Sequence, residues 1–412
     1  MSLEIRKKYS FGFENCQIAN TTKIVYFMHM DLRTLRLYHL AKQNLMTRAP
    51  ARDYRRVLKD HLGLHSTDYL TPYLSLQARV EGFEPRELFD DLNKTRKAVR
   101  VRAFRGTIFV VHRDNLALIQ AGAHHFAAST LAQILKLARR EGQDFDALEK
   151  KVITLLAGRK CLTSFQLSKE LKKDARSDLS PFFLRYLEFK GLLTRIGQKH
   201  LEDRVIVYGL FKDWLPDVAA ENIDPDLGLE TLVLRYVAKF GPVCLDDICW
   251  WLPVSKTAGK NIVERLKHKL AFFDLNGRAY MMEQGDYRKF QKFTPLPGGP
   301  FVTFLPYEDH FPKAYAVRDW FLSAQASSLL FRKGVTELGQ IRPSIWLDGE
   351  AVGRWEMDAV KDRTSARVKV VGLVGRGRLS AATLASIERE RRQVEEFINH
   401  KLRPLRSMEE EP

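Results

Sequence analysis

The chain has 412 residues, of which 45% are hydrophobic and 11% aromatic, enough for about two to four packed units. Lysine and arginine number 67 against 50 aspartate and glutamate, a net charge of +17 that is spread along the whole chain. A basic surface of this kind is typical of proteins that face a polyanion, either nucleic acid or an acidic membrane. A merely soluble basic protein is the alternative.

The cysteines and the N-terminal stretch exclude further classes of protein. Four cysteines in so long a chain predict no disulfide framework, and Cys244 and Cys249 have no nearby His or Cys pair to complete a zinc site. The stretch MSLEIRKKYSFGF lacks an apolar signal core, and no apolar run is long enough to cross a bilayer. We therefore expect a cytoplasmic protein with buried thiols, without a metal and without a membrane partner.

The first of three copies of a repeated unit lies near residues 30–115. RELFDDLNKTRKA predicts a helix, and VRVRAF and TIFVV predict two strands on either side of a turn at Arg105-Gly106. Residues 118–143, rich in Ala and His, then predict a connecting helix. His124 and His125 are adjacent and point about 100° apart on a helix, so we interpret them as helix filler and not as a metal site.

Residues 148–172 and 230–252 begin the second and third copies of this unit and resemble each other. In each, an apolar helix stops at a breaker, Gly158 in one copy and Gly241-Pro242 in the other. A second helix follows, and its first residues are suited to cap exposed N–H groups: Thr163-Ser164 in one copy and Asp246-Asp247 in the other. Both segments therefore predict a helix-turn-helix.

Each of these copies continues with a third amphipathic helix, PFFLRYLEFKGL or KNIVERLKHKL, and then two short strands. In the later copy the strands AFFDL and RAYMM flank Asn276-Gly277, a strong hairpin signal. Three helices followed by a hairpin describe a winged helix. The chain is thus expected to be α+β, with three tandem winged helix-turn-helix units.

The third helix of each unit is basic, as phosphate contact requires. The relevant residues are Arg86, Arg96, Lys97, Arg185, Lys190, Lys260, Arg265, Lys267 and Lys269. Winged helices also serve as protein docking units, but the charge of the whole chain favours DNA.

After Lys292 the pattern changes to a mixed β subdomain. KFTPLPGGP predicts a linker, FVTFLP, RPSIWLDGEAVGRWEM and ARVKVVGLVG predict strands, and a charged helix precedes an acidic tail expected to be disordered. The predicted domains are a first winged helix with an N-terminal extension (1–117), a connecting helix (118–143), a second winged helix (144–220), a third (221–292), the β-rich subdomain (293–403) and the tail (404–412).

Four phrases resemble the signature segments of the bacterial winged-helix DNA glycosylases, the AlkZ-like family. They are RVRAFRGTIFVVHRDNL, YVAKFGPVCLDDICWWLP, LPYEDHFPKAYAVRD and RPSIWLDGEAVGRWEM, in the family's order. The resemblance implies a C-shaped arrangement around a basic channel for duplex DNA. The DNA-binding residues that it implies are Asp309, Tyr315, Arg318, Arg342 and Arg354, and Arg105 beside the first wing is a further candidate for phosphate contact.

The catalytic signature of the family is Gln-x-Gln or Gln-x-Asp, shortly before an Ala-Arg-Val-like helix. Here His65 and Thr67 stand at the two Gln positions, with Asp68 next. Residues i and i+2 of an extended segment point to one face, so His65 and Thr67 are expected to hold one water between them, with Asp68 as an alternative base or charge stabiliser. The alternative is purely structural, since Ser66, Thr67 and Asp68 are all good caps for a helix that starts at Tyr69.

The resemblance therefore implies a monofunctional DNA glycosylase that hydrolyses the N-glycosidic bond of alkylated or crosslinked purines, of the N7-alkylguanine type, in duplex DNA. We expect a monomer at the nucleoid that needs no metal, nucleotide or redox cofactor. Because the glutamines are replaced, a non-catalytic DNA-binding or regulatory protein on the same scaffold is the alternative. A protein-docking role is a third hypothesis, which weak salt dependence of binding would favour.

Overall fold

The structure, a computed structural model, describes residues 25–26, 31–173, 180–219, 222–295, 298, 300–331, 340–359 and 365–406. Helices and strands are mixed throughout these residues, so the chain has the α+β character that the sequence predicts. The contacts group into two compact units. The first unit comprises Met1–Arg48, Glu230–Trp355 and Val370–Glu390, and the second comprises Ala49–Leu229, Glu356–Lys369 and Arg391–Pro412.

The elements are as follows in chain order. The α-helices are α1 (Leu32–Lys42), α2 (Tyr54–Asp60), α3 (Thr71–Gln77), α4 (Pro85–Asp90), α5 (Leu116–Arg140), α6 (Phe145–Arg159), α7 (Ser164–Leu171), α8 (Ser180–Phe189), α9 (Phe211–Trp214), α10 (Pro225–Phe240), α11 (Leu245–Trp251), α12 (Lys256–Leu266), α13 (Gln284–Gln291), α14 (His310–Lys313), α15 (Ala324–Leu330) and α16 (Ala381–Glu396). The strands are β1 (Val25–Tyr26), β2 (Leu64–His65), β3 (Ala98–Arg102), β4 (Ile108–His112), β5 (Cys161–Thr163), β6 (Leu193–Ile196), β7 (Val207–Leu210), β8 (Leu270–Leu275), β9 (Arg278–Glu283), β10 (Val302–Leu305), β11 (Ser344–Leu347), β12 (Glu350–Ala359) and β13 (Ala366–Leu373).

The second unit contains the same order of elements twice. Helix, strand, helix, helix, strand and strand follow one another from α2 to β4 and again from α6 to β7, with the long helix α5 between the copies. The strands form sheets of order β2-β4-β3 and β5-β7-β6, in which neighbours are antiparallel. In both copies the short first strand therefore pairs with the last one.

A third copy of this order runs from α10 to β9, and from Glu230 onward it belongs to the first unit. Here an isolated bridge between Val243 and Met281 stands where the other copies have their first strand. β8 and β9 form the hairpin that Asn276-Gly277 predicts, and these two residues have φ of 55° and 78°. Left-handed backbone at both central residues of a two-residue turn matches the twist of the strands, which confirms the prediction.

Local caps begin several helices where the sequence predicts them. The Thr163 hydroxyl accepts the Gln166 N–H, while the Gln166 side chain accepts the Thr163 N–H, so two N-terminal donors of α7 are satisfied together. Before α11 the carboxylate of Asp247 accepts the Cys244 N–H at 2.9 Å and also the N–H groups of Ala316 and Val317. Asp247 is thus fully buried and joins α11 to the segment after α14. Burial raises the pKa of its carboxyl, although these hydrogen bonds oppose the shift.

Helix α1 belongs to the first unit, whereas the sequence groups it with the first winged helix in a domain of residues 1–117. Two contacts explain the difference. The Tyr38 hydroxyl donates to the carboxylate of Asp286 at 2.5 Å, and Lys42 Nζ lies 2.5 Å from the same carboxylate. These buried polar contacts connect α1 to α13, far along the chain.

The C-terminal strands form a four-stranded sheet of order β10-β11-β12-β13. β11 and β12 turn at Asp348-Gly349, whose φ values are 49° and 83°. The buried aromatic residues Phe311, Trp320, Phe321 and Trp346 fill the core beside this sheet. The ends of β12 and β13, within residues 356–369, belong to the second unit. The expected disordered tail lies outside the described residues from position 407 onward.

Candidate active site

The segment that carries the expected catalytic residues begins as strand β2. Leu64 and His65 pair with Val110 and Phe109 of β4, and the Ser66 N–H donates to the Ile108 carbonyl at 2.8 Å. This pairing places the His65 side chain in the interior, where none of it is exposed and its ring lies edge-on to Phe109 at 5.5 Å between centroids. His65 is therefore a residue of the protein interior.

Thr67 connects this buried histidine to the surface. Its Oγ1 lies 3.1 Å from His65 Nε2, which is hydrogen-bond distance, while the threonine itself is exposed. The two side chains thus contact each other directly, whereas the sequence predicts that they hold one water between them. The histidine thus lies behind the threonine as seen from solvent.

Asp68 closes the turn that follows. Its Oδ1 accepts the Leu70 N–H at 2.9 Å, one residue before α3 begins at Thr71. The carboxylate is half-buried and so also reaches solvent. Asp68 therefore has a clear local structural role, and α3 begins two residues later than the sequence predicts.

A cavity of 470 Å³ opens beside this segment, within the second unit. Its wall joins the loop after β2 to strand β3 and to the hairpin of β6 and β7. The principal polar residues of the wall are Thr67, Asp68, Asn93, Arg100, Arg195 and Gln198. Asp203 and Arg204 lie further along the same hairpin. His65 is not on the wall, so its imidazole meets the cavity through Thr67.

Arg100 is held firmly at this wall. Its Nη1 donates to Gln198 Oε1, and the Gln198 amide in turn donates to the Leu201 and Asp203 carbonyls, both at 3.0 Å. Burial lowers the pKa of Arg100, and the nearby Arg195 adds to that effect, while Tyr73 opposes it. The sequence singles out Thr67 and Asp68 on this wall, but not Arg100, Arg195 or Gln198. The available signal is the alternation in VRVRAF, which puts Arg100 and Arg102 on one face of β3 and Val99 and Val101 on the other.

Arg105 lies in the turn between β3 and β4, as the sequence predicts. It has a φ of 56° and is followed by Gly106 at 67°, so two successive residues adopt the left-handed conformation. Arg102 Nη1 donates to the Gly106 carbonyl at 3.0 Å and fixes this turn to the end of β3.

Two of the residues that the family resemblance implies for DNA contact lie in the interior of the first unit. Asp309 is fully buried and accepts the Phe311 N–H at 2.9 Å as the N-cap of α14. Tyr315 is fully buried as well, and its hydroxyl donates to the Phe240 carbonyl and lies 3.0 Å from His39 Nε2. Both residues stabilise the fold at these positions, because neither side chain reaches the surface.

The three arginines of the first unit that the family resemblance implies for DNA contact, Arg318, Arg342 and Arg354, are half-buried. Arg318 lies 5.3 Å from the ring centre of Phe331, which pairs with Ile341, the residue before Arg342. Arg354 pairs with Ser344, two residues after Arg342. The Nε of Arg318 also donates to the Pro312 carbonyl at 3.0 Å.

Several basic residues of the expected recognition helices have partners within the protein. Lys190 pairs with Glu149 at 2.7 Å, and Arg265 and Lys267 pair with Glu230 and Glu264. Arg96 stacks on Trp214 at 3.8 Å and donates to its carbonyl. The charges of Lys190, Arg265 and Lys267 are therefore partly balanced before any polyanion binds.

The part of the chain that the structure describes shows neither a cluster of metal-binding side chains nor a membrane-spanning helix. It contains no group of three or more His, Cys, Asp or Glu side chains that could hold a metal ion. It also contains no helix that is long and apolar enough to cross a membrane.

Comparison with known structures identifies the fold. The structure of the Streptomyces sahachiroi DNA glycosylase AlkZ is similar to this one, with a TM-score of 0.70 and 18% sequence identity over 89% of this chain and 96% of that one. No curated protein matches the sequence. The model of the AlkZ-like DNA glycosylase family matches residues 58–397, which is most of the chain. The protein belongs to this family, and DNA repair by a glycosylase, acting on DNA as substrate, is the activity of its class.

Proposed function

We propose that the protein is a monofunctional glycosylase that hydrolyses the N-glycosidic bond of alkylated or crosslinked purines, of the N7-alkylguanine type, in duplex DNA. One observation carries the proposal: Thr67 and Asp68 lie on the wall of an arginine-lined cavity, with His65 hydrogen-bonded behind Thr67. We further propose that it acts as a monomer in the cytoplasm, on nucleoid DNA, without a metal or nucleotide cofactor.

Hydrolysis of this N-glycosidic bond needs few catalytic groups from the protein. An N7-alkylated purine carries a positive charge and leaves readily, so the enzyme has chiefly to orient a water and stabilise an oxocarbenium-like sugar. The Thr67 hydroxyl is placed to bind that water, and the contact with His65 Nε2 sets the direction of the hydroxyl hydrogen. His65 thereby positions the water through Thr67. As the water attacks the sugar carbon, Thr67 Oγ1 takes the water proton and the hydroxyl proton of Thr67 passes to His65 Nε2.

Two further features of the wall fit this reaction. The Asp68 carboxylate brings negative charge to the cavity, where it would stabilise the positive charge that develops on the sugar. Among the described residues no lysine lines the cavity, which favours water as the nucleophile over a side-chain amine.

For DNA binding we propose that the three copies of the helix and strand pattern are winged helices. Their shared order of elements and the antiparallel hairpin at the end of each copy support this interpretation. We propose Arg105, Arg318, Arg342 and Arg354 as phosphate contacts, because their side chains are at least partly accessible. Asp309 and Tyr315 would support such an interface from the interior.

A non-catalytic DNA-binding protein is the second candidate, favoured by the replacement of both glutamines of the family signature. The deciding experiment incubates the protein with a duplex that carries one N7-methylguanine and scores abasic sites by alkaline cleavage. An unmodified duplex and heat-treated protein serve as controls. Abasic sites at the lesion are the expected result, and binding of the duplex without base release would favour the second candidate.

A further inference from the structure

Two guanidinium groups, those of Arg102 and Arg185, lie at the turn between β3 and β4, and Arg105 is a residue of that turn. Arg102 donates to the Gly106 carbonyl, Arg105 precedes Gly106, and a Cβ atom added at Gly106 would lie 3.3 Å from Arg185 Nη2. Arg185 belongs to α8, the third helix of the second copy, so the cluster joins two separate segments of the second unit. We refer to Arg102, Arg105 and Arg185 as the Gly106 arginine cluster.

The acid beside this cluster is already engaged. Glu188 is almost fully buried on its side chain and accepts hydrogen bonds from Arg102 Nε at 2.6 Å and from Arg195 Nε at 2.7 Å. One carboxylate oxygen is therefore occupied by Arg102 of the cluster, and the other by Arg195, which lies outside it. Arg185 forms no salt bridge with any residue that the structure describes. Arg185 thus brings to the cluster a positive charge that no salt bridge among the described residues balances.

Packing against Phe189 holds the Arg185 guanidinium close to the like charge of Arg102. Its guanidinium lies 5.5 Å from the ring centre of Phe189, and the ring itself lies 3.1 Å from the position of an added Gly106 Cβ. Burial lowers the pKa of Arg185, and the charge of Arg102 lowers it further, while Glu188 opposes the shift. An arginine held among like charges gains more from an arriving anion than one that is already paired.

The position of the cluster relates it to the cavity. Arg100 lines the cavity, and Arg102 lies two residues further on the same face of β3, at a distance of about 7 Å along the strand. Both belong to the second unit, so an anion bound at Gly106 and a group bound in the cavity would lie close together. This spacing suits two neighbouring parts of one polymer chain.

We propose that the Gly106 arginine cluster binds a backbone phosphate of duplex DNA, with Arg185 as its main donor. A guanidinium presents two parallel N–H donors to phosphate oxygens, which suits it to this role better than an ammonium group. The inference rests on the proposed function for the identity of the polymer. It adds a contact from α8 that fixes the DNA next to the Thr67 cavity.

The test measures binding of an undamaged duplex by fluorescence anisotropy at several salt concentrations. Arg185→Gln should weaken binding and reduce the slope of log K against log salt by about 0.9, the effect of one lost phosphate contact on duplex DNA. Arg185→Lys should restore most of the slope, because it keeps the charge, but only part of the affinity, because it lacks the planar fork.

Arg56→Gln is the matched control. It removes one positive charge from the same unit, but Arg56 is exposed and paired with Asp53 at 2.7 Å, so its slope should match the wild type. A slope that is unchanged in Arg185→Gln would overturn the proposal, as would an equal change in the control. Loss of thermal stability in Arg185→Gln with an unchanged slope would assign Arg185 to packing alone. Inorganic phosphate can also be added as a competitor of the labelled duplex. If it displaced the duplex at the same millimolar phosphate concentration as unlabelled DNA does, a site for a polymer would be contradicted.

These binding measurements use undamaged DNA and so do not depend on catalysis. If the wild type releases no base but Arg185→Gln still changes the slope, the proposed function fails while the phosphate site stands. If the wild type releases the base and Arg185→Gln leaves the slope unchanged, the proposed function stands while the phosphate site fails.

Discussion

His65 Nε2 and Thr67 Oγ1 lie 3.1 Å apart, with the imidazole fully buried and the threonine exposed on the wall of the cavity. The two side chains thus form a short relay from the protein interior to the cavity. Under the proposed function, the hydroxyl contacts the water and the imidazole acts on it from behind. The two residues should therefore respond differently to substitution.

Thr67→Val should lower the rate of base release about tenfold, equivalent to about 1.4 kcal/mol of transition-state stabilisation, because it removes the hydroxyl and keeps the shape. Thr67→Ser retains the hydroxyl and should stay close to the wild-type rate. Single-turnover release of N7-methylguanine from a duplex measures both. Equal rates for the valine and serine variants would show that the hydroxyl takes no part.

His65→Ala should lower base release about 100-fold, because the positioning group and the base are both lost. Duplex affinity should stay unchanged, since the buried imidazole contributes to the transition state and not to DNA contact. The same variant should melt at a lower temperature, because it leaves a gap against Phe109. His65→Gln places an amide near the position of Nε2 and should keep the rate within about tenfold of the wild type. A glutamine variant as inactive as the alanine variant would contradict positioning by hydrogen bonding.

Two substitutions of Asp68 distinguish a catalytic role of its carboxylate from a structural one. Asp68→Asn keeps an oxygen that can accept the Leu70 N–H but removes the negative charge, whereas Asp68→Ala removes both. Loss of the turn hydrogen bond should cost about 0.5–2 kcal/mol of unfolding free energy in the alanine variant. We expect Asp68→Asn to fold like the wild type and to release base more slowly, by about tenfold, through loss of charge at the cavity. Full activity in Asp68→Asn would restrict Asp68 to the turn.

Local chemistry determined the features that could be predicted from the sequence. The hairpin at Asn276-Gly277 needs two residues that accept positive φ, and Thr163 caps α7 with a side chain that lies within its reach along the chain. The burial of His65 has a different origin, because it follows from the pairing of β2 with β4 and no local pattern encodes that pairing. The same holds for Tyr315, which the family resemblance assigns to DNA contact and which the fold encloses.

The cavity shows the limit of local patterns most clearly. Thr67, Arg100 and Gln198 come from three segments, and their meeting depends on how the first and second copies of the repeated pattern pack together. Periodicity indicates which face of β3 carries Arg100 and Arg102. It does not indicate that Arg100 will donate to Gln198 or that Arg102 will donate to Glu188.

The acid stability of the second unit should depend on Asp91. Burial raises the pKa of this carboxyl, but hydrogen bonds from Arg55, Thr95 and Tyr54 outweigh burial and hold the pKa below its ordinary value of 3.8. A carboxyl whose pKa is lower in the folded state contributes stability above its ordinary value, and this stability is lost as pH falls through the folded value. Asp91→Asn should cost about 1.5–3 kcal/mol of unfolding free energy at neutral pH and flatten its decline below about pH 4.

Urea unfolding of the wild type and of Asp91→Asn between pH 3 and pH 7, followed by far-ultraviolet circular dichroism, measures this difference. Asp114→Asn is the control, because Asp114 also pairs with a cation, Lys59 at 2.6 Å, and its pKa is also lowered, first by that hydrogen bond. Its side chain is 53% exposed, so solvent screens the pair and its removal should change stability by less than about 1 kcal/mol. If the Asp91 variant kept the acid sensitivity of the wild type, the lowered pKa of Asp91 would not be what links the stability of this unit to pH.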